Sequence, residues 1–426
     1  MTILFTNARL IDPEAGTEAP GSLLVRDGRI VGVGALDEAA PEGAELVDCG
    51  GQALAPGLVD WGVKIGEPGE RHKESFGSAG LAAAAGGVTT IIARPDTAPP
   101  IDTPEALEFV TRRAADAKVN IRHMAALTKA REGREMVEIG FLTDLGAAAF
   151  TDGVRVVRDA KLLSRCMTYA KGTGALIVGH PQQPDLSKGA AATSGKFASL
   201  YGISAVSPMA EVMGLDRDLA LVQMTGCRWH ADQITLAAAL PALRRARDAG
   251  LDVSAGISIH HLTLNEFDVG DYRTFFRFTP PLRSEDDRQA MVEAVAEGLI
   301  DVIASFHTPQ DEESKRLPFE AAAPGAVGLQ TLLPAAMRLY HQGGLSLPQL
   351  WRALSLNPAR RLGLEAGRLA KGAPADLVLF DPDAPFVMDR FKLLSKSKNT
   401  PFDGARMEGR VVGTWVAGSR VFGGRP

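Results

Sequence analysis

The sequence predicts an α/β protein: a (β/α)8 TIM barrel carrying a small β-sandwich-like module assembled from both chain ends. Three observations lead there. The chain has 426 residues, more than one hydrophobic core usually serves, since single cores stop growing at roughly 250–300 residues. Its two ends are rich in strand formers and turns. Its middle alternates short apolar runs with longer helical ones, the signature of a parallel α/β arrangement. The boundaries expected are a composite module of residues 1–55 and 366–426, and a barrel of residues 56–365.

At the N-terminal end, residues 3–11, 22–33 (bent at Asp27-Gly28) and 45–48 read as strands. At the C-terminal end, residues 376–380, 411–416 and 420–422 carry β-branched and aromatic side chains between Gly, Pro and Asp turns. Between them, eight strand candidates follow in order: 58–64, 88–94, 120–127, 147–151, 175–180, 228–235, 252–260 and 301–307. Helical stretches intervene, among them 104–117, 160–171, 236–249 and 285–297, so closure into a barrel is the economical solution. Residues 182–207, rich in Gly, Ala and Ser, break this rhythm and read as a long loop over the face formed by the C-terminal strand ends.

Composition narrows the function classes. With 46 Lys and Arg against 51 Asp and Glu, the net charge is −5, and no basic stripe of the kind a phosphate backbone requires is present; nucleic acid is not an expected partner. Cys49, Cys166 and Cys227 are far apart and form no CxxC pair, so neither a zinc ribbon nor a disulfide framework is signalled and a reducing cytoplasm is expected. The first residues show no basic segment followed by an apolar core. The apolar stretches are short and Gly-interrupted, far from the roughly 20 residues that span a bilayer, so no membrane association is expected.

In a barrel of this kind the chemistry sits at the C-terminal strand ends. The first strand runs Pro56-Gly-Leu-Val-Asp60-Trp-Gly62-Val-Lys64-Ile-Gly66-Glu67-Pro68-Gly69, followed by His72-Lys-Glu74. Further on come Ala82-Ala-Ala-Ala-Gly-Gly-Val-Thr-Thr90, Arg94-Pro-Asp96, His260-His261-Leu, Pro280-Pro-Leu-Arg283, Asp301-Val-Ile-Ala304 and Ser395-Lys-Ser-Lys-Asn399. In this order they resemble the dihydroorotase family of the metal-dependent amidohydrolase superfamily, whose first strand reads PGxxDxHxHxREPG. The resemblance extends over nearly the whole chain and implies an amidohydrolase-type barrel. It also implies a two-zinc site held by the first-strand histidine pair, a bridging carboxylate, two later histidines and a final aspartate.

Residue by residue, that site is altered. The histidine pair corresponds to Gly62, which has no ligand atom, and Lys64, whose protonated amine repels a cation. The bridging carboxylate corresponds to Asp152, the fifth-strand histidine to His180, and the sixth-strand histidine to Gln233, a poor zinc ligand. The metal-binding, proton-moving aspartate corresponds to Phe306, in Ser305-Phe306-His307-Thr308-Pro309-Gln310; an aromatic ring can do neither. Among substrate contacts, the arginine suited to gripping a carboxylate corresponds to Gly66, and the second-strand asparagine to Asp96. His307 would be a leftover contact. Asp60, His230, His260 and His307 read as structural, and Lys64 is expected to enter the vacated cavity and pair with Asp152.

The resemblance therefore implies a non-catalytic homologue, without cofactor, that forms a homodimer and supports aspartate carbamoyltransferase in pyrimidine biosynthesis. The alternative is an active dihydroorotase or other cyclic amidohydrolase with an atypical zinc site.

Overall fold

The structure, a computed structural model, describes residues 1–36 and 41–424; residues 37–40 and 425–426 of the expected end module lie outside the described residues. Both chain ends do meet in one sheet. Strands Thr2–Asp12, Thr17–Arg26, Arg29–Gly34, Glu45–Asp48 and Ala53–Pro56 join Leu377–Asp381, Arg410–Val416 and Ser419–Phe422 in a single eight-stranded hydrogen-bonded set. The expected strand 22–33 is a hairpin whose two-residue turn, Asp27 and Gly28, has φ of 49° and 77°. Positive φ at both positions matches the right-handed twist of the flanking strands, and Asp-Gly is suited to it. Phe5, Leu23, Val25, Leu377 and Trp415 form this sheet's own apolar core.

Strand Ala53–Pro56 ties this sheet to the middle of the chain. It pairs with Leu377–Asp381 and runs almost directly into Leu58–Val63, the first strand of the central set. That set is parallel. Leu58–Val63, Val88–Ala93 and Asn120–His123 pair in order. So do Leu176–Gly179, Arg228–Ala231, Val253–Ser258 and Val302–Ala304. Buried on both faces, such strands carry β-branched side chains without polar alternation, as in fully buried Val88–Ala93. The backbone N–H of Lys64 donates to the His307 carbonyl at 2.8 Å, joining the last strand to the first.

The stretch expected as a fourth strand, 147–151, is not a regular strand. Only Phe150 bridges its neighbours, Ala125 on one side and Ile177 on the other. Three consecutive alanines before it offer no β-branched side chain to fill a pleated surface. Residues 182–207 also differ from expectation. They contain helices Pro184–Ser187 and Lys196–Tyr201, and strands Ala192–Thr193 and Ala205–Val206 pair in parallel. Burial of Phe197 and a bond from the Thr193 hydroxyl to Leu282 O pin this segment down.

The helices begin where capping side chains predict. Thr103, Asp159 and Ser284 cap Pro104–Ala114, Ala160–Thr173 and Glu285–Ala296 with side-chain oxygens. Among the described residues no helix is long and apolar enough to cross a membrane.

Candidate functional site at the C-terminal strand ends

The strand ends converge on a cavity of about 180 Å³, lined among others by Lys64, Arg94, Asp96, Gln233, His260 and Phe306. Ligand sites more often enclose about 300–1,000 Å³. Phe306 takes up part of the cavity's floor, packing with Trp61, Ile92 and Val178 in the apolar layer between the strands. Gly62 makes this possible. At φ of 73°, a Cβ on residue 62 would stand 2.8 Å from Phe306 Cε1 and 2.9 Å from Cδ1. The two departures noted in the sequence are thus one steric unit: the ring occupies the space that a side chain at position 62 would need.

Lys64 lines the cavity as expected, but its partner is a correction. Its ammonium lies 3.0 Å from Glu70, and Glu70 is shared with Lys73. Asp152 is committed elsewhere. Its Oδ1 accepts from the Leu127 and Thr128 amides at 3.0 Å each, and its Oδ2 accepts from the Thr128 hydroxyl. Burial pushes this carboxyl up from its ordinary value despite those bonds. Gly66 sits in the tight turn that presents Glu70: a Cβ there would be 2.3 Å from Glu70 O. No arginine can occupy that position without remaking the turn.

Asp96 is buried beside Arg94, with Arg94 Nε 3.4 Å from Oδ1. Burial works to raise its carboxyl, but Arg94, then Lys64 and Arg131, outweigh burial and hold it below the usual range. The cavity therefore carries a fixed carboxylate among three cations. His180 is buried, its Nδ1 has no partner, and burial, followed by repulsion from Arg94 and Arg283, pulls its imidazole down to about 3. It is neutral at physiological pH and faces a neighbouring cleft. Neither Asp152 nor His180 lines the cavity that Lys64, Gln233 and Phe306 line.

The remaining histidines are built into the framework. His307 Nδ1 accepts from the Gly328 amide at 3.0 Å, which leaves Nε2 to donate to Glu74 at 3.3 Å. His230 bonds Ser254 at 2.8 Å and stacks on Trp61; His260 bonds Ser258 and lies between Phe278 and Phe402. Asp60 accepts from the Ser305 amide and hydroxyl, and burial raises it to about 6 even so.

Two organising acids escaped the sequence reading. Glu74 accepts from His307, Ser395, Ser78 and the Lys396 amide, tying the first strand's loop to the C-terminal segment. Fully buried Glu211 accepts from Thr235, the Leu236 amide, Gln182 and Arg283. The position of Glu74 two residues after His72, beside the motif, was the available signal; Glu211 lies within helix Met209–Thr225 and gave none.

Comparison with known proteins agrees with this architecture. Residues 51–237 match the model described as Dihydro-orotase-like, and residues 325–422 match the Amidohydrolase family model. A dihydroorotase of Wolbachia sp. subsp. Drosophila simulans is 37% identical over 422 residues, covering 99% of this chain and 95% of the relative. The chain belongs to the dihydroorotase family. A dihydroorotase of Pelobacter propionicus is 36% identical, covering 99% of this chain and 100% of its own. Among solved structures, the L-hydantoinase (dihydropyrimidinase) from Arthrobacter aurescens superimposes with a TM-score of 0.89 at 26% identity. It covers 99% of this chain and 96% of its own. Likeness to these amidohydrolases implies the TIM barrel that the parallel strands suggest.

Family membership corrects the expectation of no cofactor. Dihydroorotases and hydantoinases are metal-dependent amidohydrolases, so a divalent metal, typically zinc, is the group this fold implies. The donors of the familiar zinc pair are a separate matter: among the described residues no group of three or more His, Cys, Asp and Glu side chains could hold a metal ion. The residues present do not fit that site, and no step is derived through it.

Proposed function

We propose that this dihydroorotase-family chain works by association, as a structural partner of aspartate carbamoyltransferase in pyrimidine biosynthesis, rather than by opening a cyclic amide. The observation carrying this reading is the Phe306 ring seated against Gly62. It stands where the family resemblance puts the proton-moving aspartate, and it fills space that the first histidine would need. Water attack on an amide requires a group that accepts the water's proton. Of the nearby acids, Asp152 is engaged by three donors and Asp96 by cations; buried Asp232, beside Gln233, is pushed up to about 6 by burial and is the one acid left to test, by Asp232→Asn.

The partner comes from the resemblance to non-catalytic relatives that combine with the transcarbamoylase, and so does the homodimer. A reducing cytoplasm suits the three buried, unpaired cysteines. Co-expression with the transcarbamoylase of the same organism tests the association. A stable interface of roughly 1,200–2,000 Å² survives gel filtration at micromolar concentration, so co-elution is expected; separate elution, with transcarbamoylase stability unchanged by this chain, contradicts it.

A second reading is favoured by the comparisons. Relatives named dihydroorotase are 36–37% identical along 98–99% of the chain, and on that ground the chain is a cyclic amidohydrolase with an atypical metal arrangement. Turnover of dihydroorotate or a hydantoin separates the two.

A further inference from the structure

Beside the strand-end cavity a second cleft, of about 950 Å³, opens between the loops that follow the third, fourth, fifth and seventh strand positions. Its charge runs against that of the chain. Arg131, Arg134, Arg155, Arg158, Lys188 and Arg277 line it against two acids, Glu132 and Asp159, whereas the whole chain carries −5. Arg134 lies 3.6 Å from Glu132, and Arg158 lies 3.2 Å from Asp185. The other four cations have no carboxylate within ion-pair distance among the described residues. Asp159 makes no ion pair with them among the described residues; its carboxylate accepts from the Lys161 and Leu162 amides and caps helix Ala160–Thr173.

The cations are also held in place. Arg131 fixes Nε and Nη2 on the Asp152 carbonyl, at 3.1 and 2.8 Å, which leaves Nη1 free. Arg277 is buried, with Nη1 on Phe278 O at 2.8 Å and Nη2 on Ala190 O at 3.0 Å. Its Nε has no partner, and neither has Nδ1 of buried His180 at the inner end of the cleft. Burial, together with repulsion from Arg94 and Arg155, draws Arg131 below its ordinary value although Asp96 opposes this. A buried guanidinium N–H without an acceptor, at Arg277, and cations without a close ion-pair partner both call for an anion.

We propose that this cleft binds a small molecule carrying linked phosphates, either a nucleotide or free pyrophosphate. Guanidinium N–H groups make strong charge-assisted hydrogen bonds to phosphate oxygens, and four cations outside any close ion pair ask for more charge than one carboxylate brings. The proposal is independent of the association reading, since neither Phe306 nor Gly62 lines the cleft, which meets their cavity only at Val154 and Thr279.

Calorimetric titration of the full chain tests it, with pyrophosphate, ATP and citrate as probes. Saturable binding of pyrophosphate or ATP is expected, weakening as salt is raised. The double variant R155Q/K188Q, which changes two exposed side chains, is expected to bind roughly tenfold or more weakly. An unchanged melting temperature shows that it remains folded, and K188Q alone gives a milder second reading. Preference for ATP assigns a nucleotide, and equal binding of both assigns the phosphates alone. No binding at millimolar concentration, citrate binding as tightly as pyrophosphate, or unchanged affinity in both variants overturns the proposal.

Discussion

Replacing Gly62 by Ala tests whether Gly62 and Phe306 form one steric unit. The new Cβ would enter at 2.8–2.9 Å from two ring carbons of Phe306, in a layer with little room to yield. Overpacking of this kind costs about 1–3 kcal/mol, and the left-handed backbone at φ 73° adds about 1–2 kcal/mol for a residue with a Cβ. Reduced freedom of the unfolded chain returns about 0.4–1 kcal/mol. The net expectation is a destabilisation of about 2–4 kcal/mol, read as a lower urea midpoint at unchanged slope. In a Phe306→Ala background the overpacking vanishes and the backbone strain stays. The same glycine replacement should then cost only about 1 kcal/mol, a coupling of about 1–3 kcal/mol in the double-mutant cycle. Additive effects within about 0.5 kcal/mol would refute the idea that the ring fills the space in front of residue 62.

Further outcomes follow from the same geometry. Lys64→Met should cost about 1–3 kcal/mol, because Lys64 both pairs with Glu70 and, after Arg94, helps hold the Asp96 carboxyl below its ordinary value against burial; a loss under about 0.5 kcal/mol in chemical unfolding would mean that Arg94 and Arg131 suffice for Asp96. Glu74→Gln should destabilise by about 1.5–3 kcal/mol at neutral pH through loss of charged hydrogen bonds. The interactions with His307, Ser395 and Ser78 hold Glu74 below its ordinary value against the opposing effect of burial. Its stabilisation is therefore complete above the unfolded value of about 4.3 and is lost as pH falls through the folded one; a wild-type-minus-variant difference that grows on acidification would contradict this. Burial lowers His123, His180, His260 and His261 to about 3–4, and His230 well below its ordinary value. The unfolded chain thus takes up protons first, and stability should fall as pH drops below about 6.5. Imidazole resonances of the folded protein that titrate near that pH in all five would be incompatible with it.

The fold was largely legible because its signals are periodic and local. A short run rich in β-branched residues, such as Val88-Thr-Thr-Ile-Ile-Ala93, suits a buried strand, and Asp27-Gly28 specifies its own turn. The stretch at 147–151 was misjudged because spacing alone suggested a strand where Ala147, Ala148 and Ala149 support little more than a bridge. At the site, residue types revealed that Gly62, Lys64, Gln233 and Phe306 had changed. Their interdependence was not visible. That Phe306 needs Gly62, that Gly66 makes the turn presenting Glu70 to Lys64, and that Asp152 is saturated by the 127–128 backbone are facts of distance between residues up to 244 positions apart. No local pattern encodes them. The buried acids Glu74 and Glu211 were hidden for the same reason, since their partners come from remote segments.

The proposed association role requires strand ends that no longer open a cyclic amide. The most direct measurement is dihydroorotate turnover by the purified chain with zinc supplied in excess, followed in both directions of the reaction. The account predicts no rate above the uncatalysed background, with or without the transcarbamoylase present. Turnover in the common enzymatic range of about 1–1,000 s⁻¹, abolished by a chelator and restored by zinc, would contradict it and establish the chain as a working cyclic amidohydrolase.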